Sequence, residues 1–197
     1  MKIEAKEYLS LIDKDFNELS ENCMPLWHPL GFVSCVIKKD DKHTVRIHCW
    51  PKGERRVKNP DWPIHTHCYH LSSYIVSGSI QDIKYKTGSG DEHAVYAVKY
   101  TGDDSEISQT TSHIKIEELT NEKRTSGECY EVERGVFHQS IVPIAEEVIT
   151  IVVLSEFDST PPLVLGHRSQ KKYPYDRAPF DKNIFWNNVS KAINENQ

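Results

Sequence analysis

Three histidines in two short runs are the side chains of this chain best suited to chemistry: His65 and His67 in WPIHTHCYHLSSYIVSG, and His138 in SGECYEVERGVFHQS. On an extended strand side chains alternate with period two, so a pair at spacing two sends both imidazoles to the same face. His138 follows a glycine turn, Gly135-Val-Phe-His138, from which a neighbouring strand could bring a third nitrogen to the same point. Three neutral imidazoles suit iron, zinc, nickel or copper.

The residues around them divide by strand parity. With His65 and His67 facing inward, Tyr69 and Leu71 point the same way, while Cys68 and His70 point out. His70 is then an outer-surface residue that only a bulge would turn inward. Upstream, Arg46, His48 and Trp50 share one face of the run Val45 to Trp50. If that face lines the interior, Arg46 holds an anionic substrate group and His48 is an acid/base or supporting residue; if it faces out, the three are the polar side of an amphipathic strand. Tyr69, Tyr130 and Phe137 either line a pocket or belong to the core, as aromatic strand residues commonly do.

The elements that must position these groups are mostly strands. Apolar runs at Phe32 to Ile37, Thr44 to Trp50, Ile64 to Val76, Ile80 to Tyr85, Ala94 to Tyr100, His113 to Ile116, Cys129 to Val132, Phe137 to Val142 and Val148 to Leu154, separated by turn signals, predict a sandwich or barrel. Two longer loops interrupt it, Lys52 to Pro63, which runs directly into the histidine pair, and the polar, acidic Thr101 to Thr111. Tyr8, Leu9, Ile12, Phe16 and Leu19 at helical spacing predict an amphipathic helix within residues 1–22, ended by Met24-Pro-Leu-Trp-His-Pro29. A second helix is expected over 181–194, with Ile184, Phe185, Val189 and Ile193 on one side, and Tyr173 to Pro179 reads as a rigid segment covering a barrel end or a dimer surface.

At 197 residues the whole chain, 1–197, reads as a single domain with one sizeable core, its barrel spanning about 31–166. A net charge of -5 excludes nucleic acid as the main partner, since phosphate binding needs a concentrated basic surface; the basic clusters Lys52 to Lys58 and Arg168 to Lys172 read as solvated loops. The longest apolar runs are strand-length, so no membrane partner is expected. Met1-Lys-Ile-Glu-Ala-Lys-Glu leads with charges into a helical pattern, so no cleavable signal is expected and cytoplasmic residence is. Five cysteines without a CxxC pair fit reduced thiols.

The two histidine runs resemble the paired motifs of the cupin superfamily. In the first, His65 and His67 are followed at the family spacing by Leu71, where the family has a glutamate, and by Gly78; the leading glycine is absent. In the second, Gly127, Glu133, Arg134, Gly135, His138 and Val142 fall in register, with glutamate for the family's proline and valine for its asparagine. The resemblance covers residues 44 to 154 and implies a mainly β, single-domain cupin β-barrel (jelly roll) with flanking N- and C-terminal helices. It assigns His65, His67 and His138 as metal ligands, with Fe(II) first and Zn, Ni, Mn or Cu as the alternatives, and it implies a homodimer through outer strands. Among cupins, a three-histidine centre is similar to that of thiol dioxygenases such as cysteine dioxygenase, which gives Arg46 a carboxylate-binding role. The Ser-x-His-x-Tyr run of those enzymes is missing at Thr150 to Leu154, so a different oxygenase on the same scaffold is expected, acting on a small polar or anionic metabolite. His48 and Tyr69 are the catalytic candidates beside the metal. Two other readings stand beside the oxygenase: a non-catalytic or regulatory cupin that binds a small molecule, and a sugar-nucleotide isomerase or epimerase in which a histidine and a tyrosine work as base and acid without metal.

Overall fold

Strand Val148–Ser155 is an almost unbroken apolar run, and such runs arise where a strand is covered on both faces. The architecture follows from that double cover. The computed structural model describes residues 4–53, 55–57, 61–101, 104–167, 172–175 and 177–195. Its strands are β1 (Leu26–Trp27), β2 (Val33–Lys39), β3 (Thr44–Trp50), β4 (His70–Ser77), β5 (Ser79–Thr101), β6 (Asp104–Thr125), β7 (Cys129–Val132), β8 (Phe137–Ile141), β9 (Val148–Ser155), β10 (Leu163–Gly166) and β11 (Lys172–Tyr175). The helices are α1 (Tyr8–Lys14) and α2 (Phe16–Asn22), after a short 3-10 turn, and α3 (Lys182–Asn194). One sheet has the order β1-β2-β3-β9-β4-β7; the other runs β10-β5-β6-β11, with β8 also paired to β5. Every described pairing is antiparallel, and the expected mainly β fold with helices flanking its sheets is the one observed.

The first sheet separates two cores. Val45, Ile47 and Cys49 of β3 and Ile149, Ile151 and Val153 of β9 pack under Tyr8 and Ile12 of α1 and Phe185, Trp186 and Val189 of α3. The opposite faces put Trp50, Val148, Val152 and Leu154 into the barrel with Leu71, Ile75 and Val132. This settles the side on which Arg46 and His48 lie: they alternate with the helix-facing residues and point with Trp50 to the barrel side.

Several boundaries differ from the sequence expectation. The helix expected over 1–22 is kinked at Asp15 (φ -101°, ψ 16°), although the backbone ladder continues from Asp15 N–H to Leu11 O and from Leu19 N–H to Asp15 O, both 3.0 Å. In α3, capped by Asp181 accepting from the Ile184 N–H at 2.9 Å, Trp186 is buried and Ile184 is exposed, the reverse of the assignment made for Ile184. The separate strands expected at 80–85, 94–100 and 113–116 belong to one ribbon of β5 and β6, and the described part of the loop expected at 101–111 is strand too. Its middle, Lys86 to Glu92, is polar and exposed, so pairing alone holds it and no alternation marks it. Three register shifts accommodate the irregular stretch.

The described part of the loop expected at 52–63 lies outside the named strands, but its basic cluster is not merely solvated. Arg55 donates to the carbonyls of Pro51, Val142, Pro143 and Glu146 at 2.7–3.0 Å, which ties the loop to the turn before β9. Residues 54 and 58–60 of the first expected loop, 102–103 of the second, 168–171 of the second basic cluster and 176 lie outside the described residues. All five cysteines are free thiols, as expected.

Candidate metal centre

The histidine pair does not sit on a regular strand. β4 begins only at His70, and the preceding segment, entered through Pro63, threads between two neighbours by single bridges. His65 N–H donates to His138 O at 3.1 Å and His138 N–H returns to His65 O at 3.0 Å; Thr66 N–H donates to Leu163 O at 2.8 Å. Gly135, at φ +77°, turns the chain so that its N–H reaches His67 O at 3.1 Å, tying the second motif to the first. Neighbouring backbone therefore sets the extended geometry that strand parity was expected to supply, and the two rings still share a side.

The three rings meet. Centroids lie 4.8 Å apart for His65 and His67, 4.4 Å for His65 and His138, and 4.6 Å for His67 and His138. One ring nitrogen from each falls within 4.8 Å of the others. His65 Nδ1 stands 2.8 Å from Pro63 O and His138 Nδ1 3.1 Å from Val136 O. A carbonyl only accepts, so the proton of each neutral ring resides on Nδ1 and the Nε2 lone pair is left for the centre. His65 Nε2 and His67 Nε2 are 3.1 Å apart. Two nitrogens about 2.1 Å from one ion are about 3.0 Å apart at a right angle and about 3.4 Å apart at the tetrahedral angle, so this edge fits a shared metal. Burial lowers the pKa of His65; burial and then the neighbouring imidazoles push His67 and His138 well below the ordinary histidine range. Neutral imidazole is the form that ligates.

The surroundings sort the other sequence candidates. Leu71 lies where the family glutamate was expected and lines, with the three histidines, His48, Tyr130 and Trp50, an inner cavity of about 60 Å³. Phe137 packs instead against Val95 and Leu165 and is core. Tyr69 stacks on His67, centroids 4.6 Å apart at 18°, and burial raises its hydroxyl pKa to about 12. His70 stays out of the cluster, as parity required, but it is buried and not on the outer surface as expected: its Nε2 is 3.7 Å from Glu131 on β7. Arg46 does not line the inner cavity; it lines an adjoining vestibule of about 610 Å³, together with Tyr69, Tyr100 and Phe157. Cys68, expected to face outward, lines that vestibule too, because its segment is not a regular strand.

His28 and Arg177 were not singled out in the sequence. His28 stacks on Phe32 at 4.2 Å, and Phe32 in turn lies 4.6 Å from His48. Trp27 N–H donates to Ala178 O and Phe180 N–H to Pro25 O, both 2.9 Å, which brings Arg177 against the same vestibule. The link at 24–29 was legible only as a helix break, and the segment at 173–179 as a rigid cover for a barrel end or a dimer surface, neither as a source of site residues.

His48 gives a pH prediction. Burial first, then the charges of Arg46 and Arg177, lower its pKa from 6.5 to about 3. A depressed histidine is neutral in both states above pH 6.5; below it the unfolded chain takes up a proton that the folded chain refuses, so stability is lost as pH falls from 6.5 towards 3. The expected slope is about 1.4 kcal/mol per pH unit for each such histidine. Urea titrations of metal-free protein between pH 7 and 5 should show it, and His48→Gln should remove about one histidine's share. An unchanged slope in the variant contradicts the buried neutral assignment.

Fold and histidine cluster agree with the cupin resemblance. No family model and no curated protein matches the chain. Among solved structures, an RmlC-like cupin from Shewanella frigidimarina matches at 15% identity and a TM-score of 0.41, over 71% of this chain and 88% of that one. Hydroxypropylphosphonic acid epoxidase from S. wedmorenis matches at 11% identity and a TM-score of 0.38, over 70% of this chain and 56% of that one. Likenesses of this degree say nothing about reaction or ligand. No helix among the described residues is long and apolar enough to cross a membrane.

Proposed function

We propose that the chain is a metal-dependent cupin, a mononuclear non-haem iron dioxygenase acting on a small polar or anionic metabolite. The observation that carries this reading is the convergence of His65, His67 and His138 with no carboxylate among them: Leu71 occupies the place where the family has an acid. A neutral ligand set leaves a divalent ion its full charge and leaves coordination positions for other groups. Ferrous iron held there would supply the activation of dioxygen that an organic side chain cannot.

The chain's own residues do the rest. The carbonyls of Pro63 and Val136 fix the tautomer and the aim of two ligands, and the stacked Tyr69 ring fixes the plane of His67. Tyr69 keeps its proton at neutral pH and can donate a hydrogen bond; His48, neutral on the far side of the cavity, can accept one. The apolar lining of Leu71, Trp50, Val132 and Val152 limits water at the centre. Arg46 supplies positive charge at the approach, where it would hold an anionic group of the substrate.

Oxygen consumption tests the reading. Protein loaded with ferrous iron under argon is mixed with aerated buffer and a panel of small thiols and carboxylates, with zinc-loaded protein alongside. Substrate-dependent uptake by the iron form alone is expected. Equal, absent uptake in both forms across the panel returns the chain to the binding or isomerase readings.

A further inference from the structure

The vestibule has a charge opposite to that of the molecule. The chain carries a net charge of -5, yet the vestibule's charged lining is Lys39, Arg46 and Arg177, with no aspartate or glutamate among its described lining residues. Arg46 Nε is buried and has no hydrogen-bond partner among the described residues. Arg46 therefore spends little of its hydrogen-bonding capacity on the described protein, and the guanidinium that lines the vestibule is available to an acceptor there. Arg177 comes from a different part of the fold, the strap at 177–180 that β1 pins, so two guanidinium groups from separate elements line one vestibule.

A second space lies beside the vestibule. A chamber of about 80 Å³, walled by Trp62, Val98, Ile107 and Val164, ends on His65 and His67. It shares His28, Tyr69, Tyr100 and Arg177 with the vestibule, so the two adjoin. The charged end of a ligand therefore belongs at the vestibule and its apolar end in the chamber, nearest the histidines.

We infer that the ligand is a small amphipathic organic acid, its anionic head held between Arg46 and Arg177 and its short apolar body lying in the Trp62 chamber against His65 and His67. Arg177 is thus a second anion anchor. The inference rests on the proposed function in taking these histidines as the reacting end of the site, and it narrows the substrate class to acids with an unbranched or small apolar body. Carboxylate, sulfonate and phosphonate heads share the required chemistry, because each offers two or more oxygens to a planar guanidinium fork.

The test is calorimetric titration of metal-free protein with butyrate, 1-butanesulfonate and 1-butylphosphonate, against 1-butanol and n-butylammonium, with the Trp62 indole resonance followed by NMR. For ligands this small, dissociation constants of about 1 mM are expected. At least one acid should bind about tenfold or more tighter than butanol and shift the Trp62 signal. Arg177→Gln and Arg46→Gln should each weaken that acid about tenfold, Arg177→Lys less, and Lys39→Gln less than about threefold. Butanol binding as tightly as every acid, or Arg177→Gln leaving acid affinity unchanged, overturns the clamp. Should Arg177→Gln fail to fold by circular dichroism, the wild-type headgroup series and Arg46→Gln decide. Metal uptake by aliquots of the same preparations, dialysed against ferrous iron or zinc, separates the two claims: acid selectivity in protein that takes up no metal sinks the oxygenase reading alone, and metal binding without acid selectivity sinks the clamp alone.

Discussion

His138→Ala loses the metal and keeps the barrel. Of the three clustered histidines, His138 is the most buried, at 4% exposure, and its Nδ1 is held by Val136 O, so its Nε2 is fixed toward the other two. Losing merely a supporting group around a ligand typically costs 10–100-fold in metal affinity, and loss of the ligand itself should cost more than about 100-fold. The fold should survive because the backbone bridge between residues 138 and 65 is made by peptide groups that alanine retains. Equilibrium dialysis against a metal buffer, with far-ultraviolet circular dichroism on the same samples, checks both halves. Full metal occupancy in the variant would remove His138 from the centre, and a collapsed spectrum would show that the imidazole is structural.

The second large effect is on stability. Gly78 links β4 to β5 at φ +82°, and a Cβ there would meet Glu147 O at 2.5 Å and Val148 Cγ2 at 2.8 Å. Gly78→Ala therefore combines a left-handed backbone with a clash against another chain segment's carbonyl, which cannot move without disturbing β9. A loss of about 3 kcal/mol or more is expected in urea unfolding. Gly135→Ala is the control: its φ is +77°, but nothing lies within 4 Å of the added carbon, so only the conformational cost of about 1–2 kcal/mol should appear. Equal losses at the two positions would mean that the contact at Gly78 is relieved by local adjustment.

These glycines also show what the sequence made legible. Gly78, Gly127 and Gly135 were read as motif positions, and all three have φ between +77° and +89°, a conformation that side chains resist. The three histidines were equally legible, because spacing two and a turn glycine are local properties. β3 was delimited residue for residue, since its two faces differ in chemistry, Val45, Ile47 and Cys49 against Arg46, His48 and Trp50.

What stayed hidden depends on partners distant in sequence. The histidine pair was expected inside a strand, yet its geometry comes from bridges to His138 and Val164. The polar middle of β5 and β6 gave no alternation because it buries little. β1, β10 and β11 are two to four residues long and exist through their neighbours. His28 is a single residue in a segment read as a helix break and Arg177 one in a segment read as a rigid cover, and the backbone bonds at Trp27 and Phe180 that place Arg177 join positions about 150 residues apart.

The central claim is that His65, His67 and His138 hold one metal ion, and its most direct test is the metal content of untagged protein purified without added metals, measured by inductively coupled plasma mass spectrometry. Close to one ion per chain, iron foremost, is the predicted result. No ion in the purified protein, and none retained after reconstitution with iron, zinc, nickel, manganese or copper, would contradict it.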